Sequence, residues 1–117
     1  MFILWNFNGE KALSESQNFF KRALLEAVDE GLLTLGESGR KAVYFHLQNL
    51  YALKKEDITN KPEVFVEGLR KIFGVGATVI EKAAMKSLCR KLGMKYEERK
   101  NFDFLAYLNE VTQSAQE

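Results

Sequence analysis

His46 and Cys89 are the only histidine and the only cysteine among 117 residues, so nucleophilic or metal-dependent chemistry would have to run through one of them or through carboxylates. A thiolate nucleophile needs a base or cation beside it. Arg90 and Lys91 follow Cys89 directly, yet side chains one and two positions along a helix point away from each other. Met85 stands four residues earlier, and a free cysteine on such an apolar edge reads as a small core residue. His46 precedes Leu47 on the margin of an apolar stripe. Without an activated partner, it reads as a packed or half-buried side chain bonded to a backbone carbonyl. One histidine and one distant cysteine do not build a tetrahedral site. No metal and no cofactor are expected.

The remaining candidates are equally plain. Glu26, Asp29 and Glu30 would serve as acid and base only in a cleft that raises one pKa, and they read instead as a solvated helix face. Gly74-x-Gly76 ahead of a helix invites comparison with anion-binding loops. A dinucleotide fingerprint requires a preceding strand and a third glycine where Val79 stands, and a Walker loop requires Gly-Lys-Ser/Thr, which is missing. The two glycines read as cap and turn. No catalytic residue is assigned, and the chain is expected not to be an enzyme.

Charge gives a better lead. Seventeen basic residues against sixteen acidic ones leave a net +1, too little for a global pull towards nucleic acid or an anionic membrane. The distribution is uneven: eight basic and three acidic residues lie between positions 61 and 95, and two basic and five acidic between 96 and 117. Lys82, Lys86 and Arg90 recur at four-residue steps opposite Ile80, Ala84 and Leu88. They read first as a solvated face and second as a ridge for phosphate or an acidic partner. Nucleic-acid binding through this ridge is the alternative function, held second because a reading helix or a stronger basic balance normally accompanies it.

The elements that would carry these residues are helices. Ser14 and Gln17 have capping-box spacing, and Phe20, Leu24, Ala27, Val28, Gly31 and Leu35 then recur at helical steps up to a stop at Gly36. A second helix is expected over 40–53, burying Val43, Leu47 and Leu50. KKEDITNK, over 54–61, reads as a surface connection. Pro62 opens a third helix with Phe65, Leu69, Ile72 and Phe73 inward, and Gly74-Val75-Gly76 turns into a fourth with Val79, Ile80, Ala83, Ala84, Leu88 and Leu92 inward. Gly93 ends it. Asn101 is the expected cap of a last helix carrying Phe104, Leu105, Leu108 and Val111, and residues 113–117 read as fraying. The fold class is all-α: a compact bundle of four to five amphipathic helices forming one domain over 14–117.

Several of these strings together resemble a small archaeal helical family, the output domain of the Nitrosopumilus type. They are LGESGRKAVYFHL (35–47), KPEVFVEGLRKIFGVGATVIEK (61–82), KLG (91–93) and YEERKNFDFLAYL (96–108). The most specific part is the order Leu-Gly-Glu-Ser, Tyr44-x-His46-Leu47, Lys61-Pro62-Glu63-x-Phe65 and Ile72-Phe73-Gly74-x-Gly76-Ala77. The resemblance covers about 19–111. It implies an all-helical fold, an archaeal source and a role in signal output, with no activity to carry over.

Residues 1–13 lie outside that resemblance and hold Met1, Phe2, Ile3, Leu4, Trp5 and Phe7. With no basic region before the apolar residues, the segment is not expected to be an export signal. No run approaches the ~20 apolar residues of a membrane span, and the single cysteine excludes an intrachain disulfide. A cytoplasmic location is expected. So apolar a segment, extended over a short stretch, either packs on the domain's own core or meets another chain. Phe2, Leu4, Trp5 and Phe7 are therefore candidate self-association residues, and the expected function is a protein-interaction or signalling-output module whose partner is a protein, a homodimer included.

Overall fold

The computed structural model describes residues 15–115. Helical periodicity governs all of it: α1 (Glu15–Leu32), α2 (Gly36–Tyr51), α3 (Pro62–Phe73), α4 (Ala77–Lys91) and α5 (Phe104–Ala115) follow in order, and no strand occurs among the described residues. The all-α expectation holds. Ser14 and the N-terminal cluster fall outside the described residues.

α4 is the central element, packed on α1, α3 and α5, and its seam with α1 is the most extensive in the fold. Small residues make that seam possible. A Cβ added at Gly31 would come within 3.0 Å of both Cβ and backbone N of Ala84, so α1 and α4 approach backbone to backbone. Ala23, Leu24, Ala27, Val28 and Leu32 bury themselves from one side, and Ile80, Met85 and Leu88 from the other. Phe65 and Leu69 bring α3 into the same core, Phe65 edge-on to Phe104 of α5 at 6.4 Å between ring centroids.

The helix stops follow the expected glycines with one difference. Gly36, Gly74 and Gly93 carry φ of 81°, 58° and 70°, conformations that glycine adopts without a Cβ penalty. At Gly93 the closure is a Schellman motif, Met94 N–H donating to Cys89 O at 2.8 Å and Gly93 N–H to Arg90 O at 3.2 Å. Gly76, by contrast, has φ −65°, so its conformational freedom is not used. Pro62 opens α3 as expected.

Four expectations are corrected. Leu50 is 66% exposed: α3 packs where Leu47 and Tyr51 meet Gly68, and three residues on from Leu47 turns the side chain away from that contact. Val79, also 66% exposed, sits on a side of α4 left open by the described helices. Leu35 is exposed because α1 ends at Leu32 and a 3-10 turn, Leu33–Leu35, breaks the stripe's period. α5 is capped by Asp103, whose Oδ1 accepts from Ala106 N at 3.0 Å, rather than by Asn101. The connection over 54–61 is also less superficial than its composition suggests, because Ile58 is buried in it.

Candidate functional site

A recess of about 370 Å³ opens between α1, α5 and the connection before α3. Phe20, Leu24, Pro62, Leu105 and Leu108 supply its apolar floor, while Ser16, Gln17, Lys21, Thr59, Asn109 and Thr112 supply a polar rim. Lys21 Nζ donates to Asn60 Oδ1 at 2.9 Å, tying α1 to the connection. Ser16 and Ala115 line both this groove and an adjoining recess with Phe19, Leu92 and Met94. The first turn of α1 therefore lies beside the last turn of α5, and the groove runs between the two. Its size is at the lower end of the ~300–1,000 Å³ usual for ligand sites. Among the described residues that line it, Lys21 is the one charged side chain, and none is a histidine, cysteine or carboxylate.

The basic ridge faces outward, and each of its cations has a neighbour, although Arg90 stays 72% exposed. Segment 94–103, returning from α4 to α5, lies along that face. Lys82 Nζ pairs with Glu98 Oε1 at 2.7 Å and stands 5.8 Å from the Phe102 ring centroid, and the bond to Glu98 raises its pKa. Lys86 Nζ sits 5.4 Å over the Tyr96 ring. Arg90 reaches Glu30 at 3.7 Å. A phosphate binding along the ridge would have to compete with carboxylates already there.

The carboxylates of α1 are tied into the fold. Burial opposes ionisation of Asp29, yet the bond from Tyr44 Oη at 2.8 Å and the charges of Lys55 and Arg40 hold its pKa below the ordinary value. Glu30 is held low chiefly by its hydrogen bond from Ser87, with Lys91 adding a contact at 3.1 Å. Such paired carboxylates are poor proton acceptors. They fasten α1 to α2 and to α4.

His46 and Cys89 lie apart. The packed expectation for His46 is corrected: it is exposed, its ring edge-on to Phe45 at 6.1 Å, because α2 buries only Val43 and Leu47 fully. Cys89 is the core residue expected, with Sγ 3.9 Å from Tyr107 Oη and a thiol pKa raised by burial. Among the described residues, no group of three or more His, Cys, Asp and Glu side chains is arranged to hold a metal. Cys89→Ala is expected to cost stability by opening a small cavity beside Tyr107, and His46→Ala to leave the denaturation midpoint unchanged within about 0.5 kcal/mol. Chemical denaturation of the two variants checks the contrast. A larger loss at His46 would show that its imidazole is held by contacts beyond Phe45.

Two features escape a linear reading. The groove residues look like core, since Leu105, Leu108 and Thr112 share one face of α5, and only tertiary depth separates a floor from an interior. Glu81 is the other. It is 0% exposed, with Oε1 3.2 Å from the half-exposed Arg70 and Oε2 without a partner, and burial raises its pKa. The sign of it in the sequence is its register, since Ala77, Glu81, Ala84 and Leu88 form one buried stripe.

No family model, curated protein or solved structure matches this chain. The groove and the ridge are thus weighed on geometry alone. No helix among the described residues is long and apolar enough to cross a membrane.

Proposed function

We propose that this chain is a non-enzymatic protein-interaction module, of a signalling or regulatory kind and working in the cytoplasm, whose contact surface is the α1–α5 groove. The observation that carries this reading is a separation. The α1–α5 recess has an apolar floor and, among the described residues that line it, no histidine, cysteine or carboxylate, whereas Glu81 and Cys89, the buried groups whose pKa burial raises, do not line it. An apolar floor inside a polar rim with one cation, Lys21, suits an apolar peptide segment or helix edge better than a polar metabolite. The output role and the archaeal source rest on the resemblance of the LGESGRKAVYFHL and KPEVFVEGLRKIFGVGATVIEK strings.

The test compares the full chain with Leu105→Glu, a half-buried floor position, as baits in lysate of the source cells. Proteins retained by the first and lost by the second, at equal helicity, support the groove. Identical retention by both sinks it.

Nucleic-acid binding is the second reading, favoured by the outward alignment of Lys82, Lys86 and Arg90. Little binding to duplex or single-stranded DNA is expected near physiological salt, because the three cations already face Glu98, Tyr96 and Glu30. If the ridge does bind, log affinity should fall with log salt by roughly one unit per neutralised phosphate. Abolition of such a complex by charge reversal at these three positions would place this reading first.

A further inference from the structure

α2 departs from the other helices in what it shows to solvent. A surface helix normally turns charged and polar side chains outward, and α1, α3, α4 and α5 expose Glu26, Glu67, Lys86 and Glu110 in that way. Positions 42–53, AVYFHLQNLYAL, hold no aspartate, glutamate, lysine or arginine. The inner side of this stretch is taken by Val43 and Leu47, with Tyr51 beside Gly68 of α3 and Tyr44 bonded to Asp29 of α1. Its outer side presents Ala42, Phe45, His46, Gln48, Asn49 and Leu50, with Phe45 63% and Leu50 66% exposed. Single apolar side chains are ordinary on a protein surface. Two large ones on an uncharged helix face mark a contact.

We propose that this outer face of α2 pairs with the same face of a second copy, the two helices running antiparallel about a twofold axis beside Phe45 and His46. None of the groove residues belongs to this face, so the two contacts are separate. Charge and shape favour a second copy. A twofold contact sets a surface against itself, so a charge at its centre would face its own copy, and this centre bears none. The ends of the helix fix the direction. Parallel helices would bring Glu37 against Glu37 and Lys41 against Lys41, whereas antiparallel ones set the exposed Glu37 near the exposed Lys54 of the second copy. Lys41 then approaches the carbonyl end of the second α2, where a cation is favoured. Because residues equidistant from the axis meet, Ala42 comes opposite Asn49 and Leu50, small against large, and Phe45 opposite His46. One helix pair, over the about 12 Å between Ala42 and Leu50, is small beside the ~1,200–2,000 Å² of stable complexes, so the dimer has micromolar or weaker affinity.

Analytical ultracentrifugation of the full chain from low micromolar to near-millimolar concentration tests the pairing. The expected result is a mass that rises from one chain to two as concentration increases. Phe45→Glu and Leu50→Glu place a carboxylate on side chains already mostly in solvent, so helicity and the denaturation midpoint at low concentration should hold while association weakens at least about tenfold. Glu37→Lys and Lys54→Glu should each weaken it by about two- to fivefold, and the double variant should recover the parent's affinity. Glu37→Lys also cuts the bond to Arg40 within its own chain, a loss that Lys54→Glu cannot repair, so recovery reports the contact between copies. A chain that stays monomeric over the whole range overturns the proposal and leaves the face to solvent or to an unrelated protein. A dimer indifferent to Phe45→Glu and Leu50→Glu also overturns it and assigns the contact to another surface. A dimer that these substitutions weaken but that the double charge exchange does not restore overturns the antiparallel arrangement.

Discussion

A Gly31→Val protein is expected to lose about 3 kcal/mol of folding stability, a large part of the ~5–15 kcal/mol that holds a typical domain together. The cause lies in what a side chain there would meet. The first carbon alone would stand 3.0 Å from Ala84 N and Cβ and 3.1 Å from its Cα, all atoms fixed by the α4 backbone. No rotamer change relieves such a contact, so α1 must move away from α4, and Leu24, Val28, Ile80 and Leu88 lose packing along the broadest seam in the fold. Gly31→Ala should lose less, because a better helix former returns up to about 1 kcal/mol. Urea denaturation measures both. A valine variant as stable as the parent would mean that α1 and α4 can separate freely, contrary to the packing described.

Gly31 also shows how far the sequence can be read. Its place in the stripe Leu24, Ala27, Val28, Gly31 marks it as inward, and Ala83 and Ala84 suggest close packing of α4. Which helix lies against which is not written locally. Periodicity assigns a residue to a face but does not say how many faces will be covered, and α4 is buried on several sides. Val79 therefore looked inward, and Glu81 was overlooked on a stripe it shares with Ala77, Ala84 and Leu88. The same gap affects the ridge. Lys82, Lys86 and Arg90 read as a solvated face or a ridge because their neighbours lie on other elements, Glu98 and Tyr96 on the returning segment and Glu30 on α1. Helix stops, which depend on one residue's own conformation, were legible at Gly36, Gly74 and Gly93. At α5 the choice between Asn101 and Asp103 turned on where a non-helical segment ends, which composition does not fix.

Arg70→Ala is expected to destabilise the protein strongly in mildly alkaline solution and only slightly at acid pH. Glu81 is wholly buried and, among the described residues, has one ion-pair partner, Arg70, at 3.2 Å. Removing one member of a wholly buried pair commonly costs about 3–5 kcal/mol, because the charge left behind is uncompensated, and the cost here is smaller because solvent already screens the half-exposed Arg70. Here the remaining group can escape by taking up a proton. Burial already raises its pKa above the 4.5 of an ordinary glutamate, with Arg70 opposing, and loss of the guanidinium raises it further. The sign follows from proton uptake: between 4.5 and the folded value the native state binds more protons than the unfolded chain. Stability therefore falls as pH rises through that window, by at most about 1.4 kcal/mol per pH unit. Asp29 and Glu30, held low by their partners, act oppositely and lose stability only as the solution becomes more acid. Glu81→Gln should flatten the alkaline side of the profile, and in that background Arg70→Ala should cost little at any pH, since the half-exposed Arg70 then has no buried charge to compensate. Denaturation midpoints of the two single variants and the double variant across pH measure the coupling. An Arg70→Ala loss that stays the same from acid to alkaline solution would show that Glu81 is not the group responsible.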